Sequence, residues 1–240
     1  MPPTCKIILN TKTLQLLSKF LEKNIDEVCF KIKNDIQISF QGLTGHHGAL
    51  ISIPQEKLKK IEGEDVVSVD TRQLSSIMQQ FSGEFVEISV NEATLYLKDE
   101  TQEGFLRLIE PDENKNFSGV SRTLPAEFTI DAVKLTSFLK AADNFGSYVA
   151  FNFDGKKKQL LISSQKSVMG FKRSLEVKES KGDAGKAAFQ LDYIRDALEG
   201  ASGNLKIEIG NEMPIKFIFN LGDADCQSFI APRSEQDGGD

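Results

Sequence analysis

The sequence has no tryptophan, three cysteines and two histidines among its 240 residues. An odd number of cysteines without CxxC spacing argues against both a disulfide framework and a zinc site, so we expect Cys5, Cys29 and Cys226 to be small buried side chains. His46 and His47 are adjacent, and no third ligand lies close to them in the sequence. We therefore predict no metal site.

The sequence patterns of common catalytic sites are also missing. The chain contains no HExxH, GxSxG or GxGxxG, and its adjacent histidines leave no separate base for a distant nucleophile. The segment GDAGKA at 182–187 resembles a phosphate-binding loop only superficially, because its glycines are too close together and no Ser or Thr follows the lysine. We predict no catalytic residues and no cofactor, hence a protein that is not an enzyme.

Long apolar runs and an excess of basic charge are absent as well. No run approaches the roughly 18 residues of a membrane span, and the opening MPPTCKIILNTK has no secretory cleavage pattern, so we expect no membrane partner. With 29 basic and 35 acidic residues, the net charge is −6 and the pI about 5.2. Domains that read DNA grooves usually have a pI above about 9, so any contact with DNA must use locally concentrated charge.

One structural pattern occurs four times along the chain. Residues 6–40 and 127–163 share a strand, helix, strand, strand order, and the segments that begin at Val66 and Ala187 repeat this order. Apolar and polar residues alternate in 28–32, 86–90 and 205–209, which predicts antiparallel strands with one buried face. The short polar turns between the strands favour hairpins.

Each copy of the pattern includes one predicted helix. In the first helix Leu14, Leu17 and Leu21 form an apolar stripe, and the lysines lie on the other side. We therefore expect helices that cover a sheet and keep one polar face in solvent. The predicted N-caps are Asn10 or Thr11, Asp70, Asp131 and Asp192.

Two further segments indicate partner surfaces. Residues 111–125 have no sustained period and are bounded by prolines, which is typical of a linker that crosses the surface. SFIAPR at 228–233 is an apolar strand that runs directly into a proline. Because proline removes a ladder donor, this strand is expected at a sheet margin, where its last apolar groups are a candidate docking surface.

Together these segments resemble the sliding clamps of the proliferating cell nuclear antigen (PCNA) family. The resemblance extends from about residue 5 to residue 233 and rests on the fourfold pattern, ALISIP at 49–54, the linker, GNEMPIKFIF at 210–219 and SFIAPR. It implies an α+β DNA-clamp fold with two similar domains, each with two helices packed on antiparallel sheets, in four β-α-β-β-β repeats. The implied parts are a first domain at 1–108, a connecting linker at 109–126, a second domain at 127–233 and a disordered tail at 234–240.

The resemblance also implies a ring of three subunits that encircles double-stranded DNA without sequence preference. It implies as partners a DNA polymerase, a clamp loader, a ligase and a nuclease that carry clamp-binding peptides. A ring retains DNA topologically, so weak phosphate contacts are enough; for any single residue, a merely solvated helix face is the alternative. The implied DNA-facing residues are Lys12, Lys19, Lys23, Arg72, Lys134, Lys140 and Arg195.

By the same resemblance, the edge strand at 104–109 pairs head to tail with 167–173 of the next subunit. The implied interface residues are Phe105, Leu106, Arg107, Leu108, Met169, Phe171, Lys172 and Arg173.

The resemblance also implies a pocket that receives partner peptides of the Gln-x-x-(Ile/Leu/Met)-x-x-aromatic-aromatic type. Its implied residues are Leu43, His47, Leu50, Phe117, Val120, Pro214, Phe229, Ile230, Ala231 and Pro232. Gly48 is expected to thin the early wall of this pocket.

Two alternatives stay open. Asp196 and Glu199 lower the basicity around Arg195, which is compatible with a clamp-fold module that recruits partners without encircling DNA. The divergent loop at 42–48 would suit one subunit of a heterotrimeric or checkpoint-type ring, whereas the simplest assembly is a homotrimer. The expected location is the cytoplasm or nucleoid for an archaeal or viral source and the nucleus for a eukaryotic one.

Overall fold

A computed structural model describes residues 3–42, 44–111, 117–119, 123–166 and 169–233. These residues form an α+β fold of helices and antiparallel sheets, as the sequence predicts. None of the helices in these ranges is long and apolar enough to cross a membrane. The chain divides into two compact units: unit 1 is Met1–Gly119 with Asn220–Cys226, and unit 2 is Val120–Phe219 with Gln227–Asp240.

Unit 1 contains two helices and two sets of antiparallel strands. The helices are α1 (Thr11–Asn24) and α2 (Thr71–Met78). The strands are β1 (Cys5–Asn10), β2 (Glu27–Ile32), β3 (Ile36–Gln41), β4 (His47–Ile53), β5 (Lys60–Gly63), β6 (Asp65–Asp70), β7 (Phe85–Asn91), β8 (Thr94–Lys98) and β9 (Glu103–Arg107). Their orders are β5-β1-β7-β8-β9 and β4-β3-β2-β6, and a 3-10 helix (Gln55–Lys57) follows β4.

Unit 2 repeats this plan. Its helices are α3 (Ala132–Ala142) and α4 (Leu191–Ala197). The remaining strands are β10 (Ala126–Asp131), β11 (Tyr148–Asp154), β12 (Gln159–Lys166), β13 (Met169–Glu176), β14 (Glu179–Lys181), β15 (Ala184–Gln190), β16 (Asn204–Ile209), β17 (Ile215–Leu221) and β18 (Ala224–Ile230). The unit 2 orders are β14-β10-β16-β17 and β13-β12-β11-β15. Since β10 pairs with β14 and β16 as β1 pairs with β5 and β7, the predicted repeat is visible in the strand pairing.

The core of each unit is formed by alternate residues of its strands and by the apolar stripes of its helices. Buried and less buried residues alternate along β7 and β16, as predicted. Leu14, Leu17 and Leu21 of α1 are at most 2% exposed. In unit 1, helix and strand side chains enclose a void of about 20 Å³ whose lining is entirely apolar.

Three of the four predicted helix starts are confirmed. The side chains of Asn10, Asp70 and Asp131 accept hydrogen bonds from backbone N–H groups of α1, α2 and α3. The prediction for Asp192 is wrong, because α4 begins after Gln190 and has no side-chain cap. Asp192 lies in the first turn, where its carboxylate accepts instead from the Arg195 guanidinium at 2.6 Å.

The cysteines follow the prediction in two of three cases. Cys5 and Cys226 are buried, and this burial raises the pKa of the Cys5 thiol to about 11 and also raises that of Cys226. Both thiols are therefore protonated and unreactive near neutral pH. Cys29, which the sequence predicts to be buried, is only half-buried, because its side chain lies on the wetter face of β2.

The buried carboxylate of Asp99 joins the β8–β9 turn to the segment before β7. Asp99 is 7% exposed; its Oδ1 accepts from the N–H groups of Thr101 at 2.8 Å and Gln102 at 2.9 Å, and its Oδ2 from that of Gly83 at 3.1 Å. These donors, Thr101 above all, hold the pKa of Asp99 well below its usual range even though burial acts in the opposite direction. The ionised side chain thus fixes the β8–β9 turn against the segment before β7.

We expect Asp99→Asn to lower the urea midpoint of unfolding at pH 7, because an amide cannot accept from donors on both sides. Folding lowers the pKa of this carboxyl, so its stabilisation is complete above the unfolded value near 4 and is lost as the pH falls toward the folded value. The variant should therefore show a weaker loss of stability below about pH 4. The matched control is Asp183→Asn at an exposed position. Equal pH profiles for wild type and Asp99→Asn would contradict the assignment.

Candidate functional site

The predicted DNA-facing lysines lie on the solvent faces of two helices. Lys12, Lys19 and Lys23 on α1 and Lys134 and Lys140 on α3 are all exposed. None of them forms an ion pair with another residue in the ranges that the structure describes. Their charges are thus directed to solvent and available to an anionic partner.

The two predicted arginines are held by carboxylates of their own unit. Arg72 Nη2 lies 2.7 Å from Asp26 Oδ1. Arg195 bridges two acids, with Nη1 2.9 Å from Asp143 Oδ2 and Nη2 2.6 Å from Asp192 Oδ1. The Asp192–Arg195 ion pair has i,i+3 helical spacing, so the sequence could have predicted it. The ion pairs of Arg72 with Asp26 and of Arg195 with Asp143 could not be predicted, because only the fold brings these residues together.

Strand β9, the outermost strand of its sheet, presents an aromatic side chain to solvent. Phe105 is 68% exposed and lies opposite Tyr96 of β8, which is 45% exposed. Arg107 is exposed and Leu108 is half-buried. Leu106 points inward and is 7% exposed, so only its backbone is accessible to a partner strand.

Strand β13 is the outermost strand of the second sheet in unit 2. Met169 is 56% exposed, and Lys172 and Arg173 are exposed as well. Phe171 instead stacks between Phe138 of α3 and Phe145, with ring centroids 5.1 and 5.2 Å apart. Phe171 thus anchors this edge to its own unit. The predicted edge segment also includes 167–168, which lie outside the described residues.

Of the pocket residues predicted in unit 1, the structure describes His47, Leu50 and Phe117. Leu43 and Val120 lie outside the described residues. His47 Nε2 lies 3.0 Å from the carbonyl oxygen of Asn24 at the end of α1. Its ring occupies the space beside Gly42, where an added Cβ would lie 2.0 Å from His47 Cε1. Leu50 is half-buried on β4. His47 therefore fixes the loop before β4 to α1.

The linker approaches β4 at Gly48. An added Cβ on Gly48 would lie 3.2 Å from Cγ and Cδ1 of Phe117 and 2.8 Å from the carbonyl oxygen of Phe40. Any larger residue at this position would push against the Phe117 ring. The space left by the missing side chain, which the sequence predicted as a thinner wall, is thus filled by an aromatic ring of the linker.

The predicted pocket residues of unit 2 fall into two groups. Phe229 and Ile230 are 5% and 0% exposed, so their side chains belong mainly to the core. Pro214, Ala231 and Pro232 are partly exposed. Only this second group presents apolar surface to a partner.

Comparisons with known proteins agree with this architecture. A DNA polymerase sliding clamp of Methanococcus maripaludis (strain C6) is 22% identical over 247 residues, which cover 94% of this chain and 97% of the relative. The solved PCNA of A. fulgidus, bound to the C-terminal region of FEN-1, superposes with a TM-score of 0.86 at 22% identity, covering 96% of this chain and 99% of its own. The chain thus has the fold of the solved PCNA structures and is similar along nearly its whole length to proteins named DNA polymerase sliding clamp.

A further sliding-clamp structure, the PCNA2–PCNA3 complex of Sulfolobus tokodaii, superposes with a TM-score of 0.84 at 17% identity, covering 96% of this chain and 100% of the matched one. No family model matches the sequence. The predicted DNA-clamp fold is confirmed by these neighbours, and the similarity to sliding clamps agrees with the prediction that the chain is not an enzyme. Among the described residues, no group of three or more His, Cys, Asp or Glu is arranged to hold a metal ion.

Within this sliding-clamp fold, we expect Gly48→Val to destabilise unit 1 and displace Phe117. Overpacking a filled site costs about 1–3 kcal/mol, which is measurable as a lower urea midpoint. The double variant Gly48→Val/Phe117→Ala should recover the part of this destabilisation that comes from the ring, while the part due to the Phe40 carbonyl remains. Gly170→Ala, where the nearest neighbouring atom is 3.5 Å away, is the control. Equal midpoints for the single and double variants would show that Phe117 does not fill this space.

Proposed function

We propose that the chain is a DNA sliding clamp, a ring-forming processivity factor that encircles duplex DNA and tethers a DNA polymerase and other replication and repair enzymes. The proposal is carried by similarity along nearly the whole chain to proteins named DNA polymerase sliding clamp, together with the PCNA fold. Such a protein acts by binding and needs no catalytic residue. Since the curated relatives are archaeal, we place it in the cytoplasm, at the nucleoid.

The ring is formed by three copies of the chain, with β9 of one copy paired to β13 of the next. Both strands are outermost in their sheets, and each exposes a large apolar side chain, Phe105 and Met169. Lys172 and Arg173 make the β13 edge basic; β9 carries the exposed Arg107 and a Glu103 that is bound to Lys98, with Glu100 and Glu110 on either side of the strand. Pairing of two unlike edges gives the head-to-tail contact that can close a ring.

Within this ring, the lysines of α1 and α3 attract DNA phosphates. Arg72 and Arg195 contribute less, because each is already bound to a carboxylate. A few lysine contacts without base readout give weak, salt-dependent attraction, which permits sliding. The overall charge of −6 is compatible with this role, because retention of DNA depends on ring closure.

Partner proteins attach through short peptides with apolar anchors. Of the residues that the resemblance implies, we propose as peptide contacts His47, Leu50 and Phe117 in unit 1 and Pro214, Ala231 and Pro232 in unit 2, each of which is partly exposed within its own unit. Apolar anchors in such a pocket supply most of the binding energy of a short peptide. The polymerase, loader, ligase and nuclease are the partner classes that carry such peptides.

A second candidate is one subunit of a mixed ring. The fold is compatible with such a ring, because one structural neighbour is a complex of two different clamp chains, PCNA2 and PCNA3. In that case the β9 and β13 edges would each pair with a different chain. The non-encircling module has no comparable support.

We expect the purified chain to have a mass of about 80 kDa by light scattering after gel filtration, three times the 26.6 kDa of one chain. The ring should remain on closed circular DNA and leave linear DNA by its ends. Phe105→Asp should give monomers, because it places a charge in the proposed apolar contact. Val133→Asp, at an exposed helix position, is the control. A wild-type monomer at every dilution would contradict the homotrimer and favour the mixed ring.

We expect the triple variant Lys12→Glu/Lys19→Glu/Lys134→Glu to lower the affinity for DNA and the stimulation of the polymerase, with unchanged circular dichroism. The slope of log K against log salt should become shallower by about 0.9 for each phosphate that the variant no longer neutralises. Arg72→Gln/Arg195→Gln should change these quantities much less. Unchanged stimulation by the lysine variant would refute the assignment of the DNA-facing surface.

A further inference from the structure

A row of alternating charges crosses the sheet of unit 1 and ends at its edge strand β9. Lys6 Nζ lies 2.8 Å from Glu87 Oε1. Glu87 lies opposite Lys98 on β8, and Lys98 lies opposite Glu103 on β9 and is bound to it. The row therefore ends on an acid, at the strand that we propose to face the next subunit.

The side chains of β9 alternate between the helix side of the sheet and its outer face. Gly104 faces α2, since an added Cβ would lie 2.5 Å from Ile77 Cδ1. Glu103, Phe105 and Arg107 are exposed and point to the opposite, outer face. Phe105 is 68% exposed, so most of its ring is left in solvent by its own chain.

The side chains of β13 alternate in the same way. Phe171 stacks on Phe138 of α3 and thus marks the helix side. Gly170 and Lys172 therefore point to the outer face. Lys172 is exposed and forms no ion pair with another residue in the described part of the chain. At Gly170 the nearest atom to an added Cβ would be 3.5 Å away, so this position is open.

Two conditions limit how the edges can join. In the proposed ring the helices of both copies face the DNA, so residues of one outer face must lie opposite residues of the other. The strand pairs on both sides of the joint, β8–β9 and β12–β13, are antiparallel, and we extend this pattern to β9–β13. The register can then shift only in steps of two residues.

One of these registers matches both charge and shape. It places Glu103 opposite Lys172 and Phe105 opposite Gly170. Because a carboxylate has two acceptor oxygens, Glu103 can bind Lys172 and still keep Lys98. The Phe105 ring lies over the open glycine, which is a cross-strand pairing that stabilises sheets.

The neighbouring registers lose these contacts. A shift by two residues in one direction moves Phe105 and Arg107 past the end of β13 at Met169. A shift by two in the other direction places Phe105 opposite Lys172 and leaves Glu103 without a cation from the partner copy. A further shift by two places Arg107 opposite Lys172, where like charges repel.

We propose that β9 and β13 of two copies join in the register Glu103–Lys172 and Phe105–Gly170, so that the partner at each edge is a second copy of this chain. The inference rests on the proposed clamp function and refines it. Edges that match each other favour a ring of identical subunits over the mixed ring, because the ion pair opposes wrong partners and wrong registers.

Cysteine cross-linking of the full chain measures the register directly. Opposite residues of antiparallel strands have Cα atoms about 4.5–5.5 Å apart, a separation that a disulfide spans. In a Cys29→Ser background, we expect Glu103→Cys/Lys172→Cys to give covalent trimers on mild oxidation. Their yield should be about tenfold higher than for Glu103→Cys/Ser174→Cys or Glu103→Cys/Gly170→Cys, since diagonal neighbours lie about 7–8 Å apart.

Charge exchange tests the ion pair in solution. We expect Glu103→Lys and Lys172→Glu each to raise about tenfold the chain concentration at which half of the rings dissociate, because each places like charges opposite each other. The double variant should recover most of this loss. Glu100→Lys/Lys172→Glu has the same net charge but changes an exposed acid outside β9, so it should not recover it.

The outcomes separate this inference from the clamp function. Trimers that cross-link best through Ser174 or Gly170, or that charge exchange does not restore, would overturn the proposal and leave the ring of identical subunits in place. Cross-links through Arg107→Cys/Glu176→Cys would show parallel pairing and would also overturn it. A wild-type monomer without cross-links would overturn self-pairing in favour of the mixed ring. Failure of the clamp function itself would appear as loss of retention on closed circular DNA.

Discussion

Each helix buries an apolar stripe against a sheet, and this burial determines which side chains remain for partners. On α1, Leu17 and Leu21 are fully enclosed. Because burying a leucine contributes about 1.5–3 kcal/mol, the helix cannot turn its polar face inward without losing a large part of the stability of its unit. Lys12, Lys19 and Lys23 are therefore kept in solvent by the core, without any contact that holds them individually. The surface that we assign to DNA is a consequence of packing.

Ion pairing then separates these cations into two kinds. An exposed ion pair contributes only about 0–1 kcal/mol to stability, so the carboxylates around Arg72 and Arg195 have little effect on the fold. Their effect is on the local field, because each pair cancels a charge that would otherwise attract phosphate. The attraction is thereby confined to a few mobile lysine side chains. A ring that already retains its DNA benefits from this arrangement, since strong fixed contacts would oppose sliding.

The sequence predicts those features that depend on local pattern. Alternation of apolar residues predicts the antiparallel strands, and three of four helix starts follow from Asn or Asp at the N-cap. The features that it misses depend on tertiary contacts. Arg72 and Asp26 are 46 positions apart, so no local spacing reveals their ion pair. The packing of the Phe171 ring between Phe138 and Phe145 likewise depends on residues far apart in the sequence, so no local pattern reveals it.

The proposed peptide surface depends on shape more strictly than the DNA surface does. In this chain the bulk beside β4 comes from Phe117 of the linker, since Gly48 has no side chain to supply it. A residue on β4 would be held by the strand ladder, whereas Phe117 belongs to the linker and packs against Gly48. The position of the linker thus sets the shape of the surface beside β4.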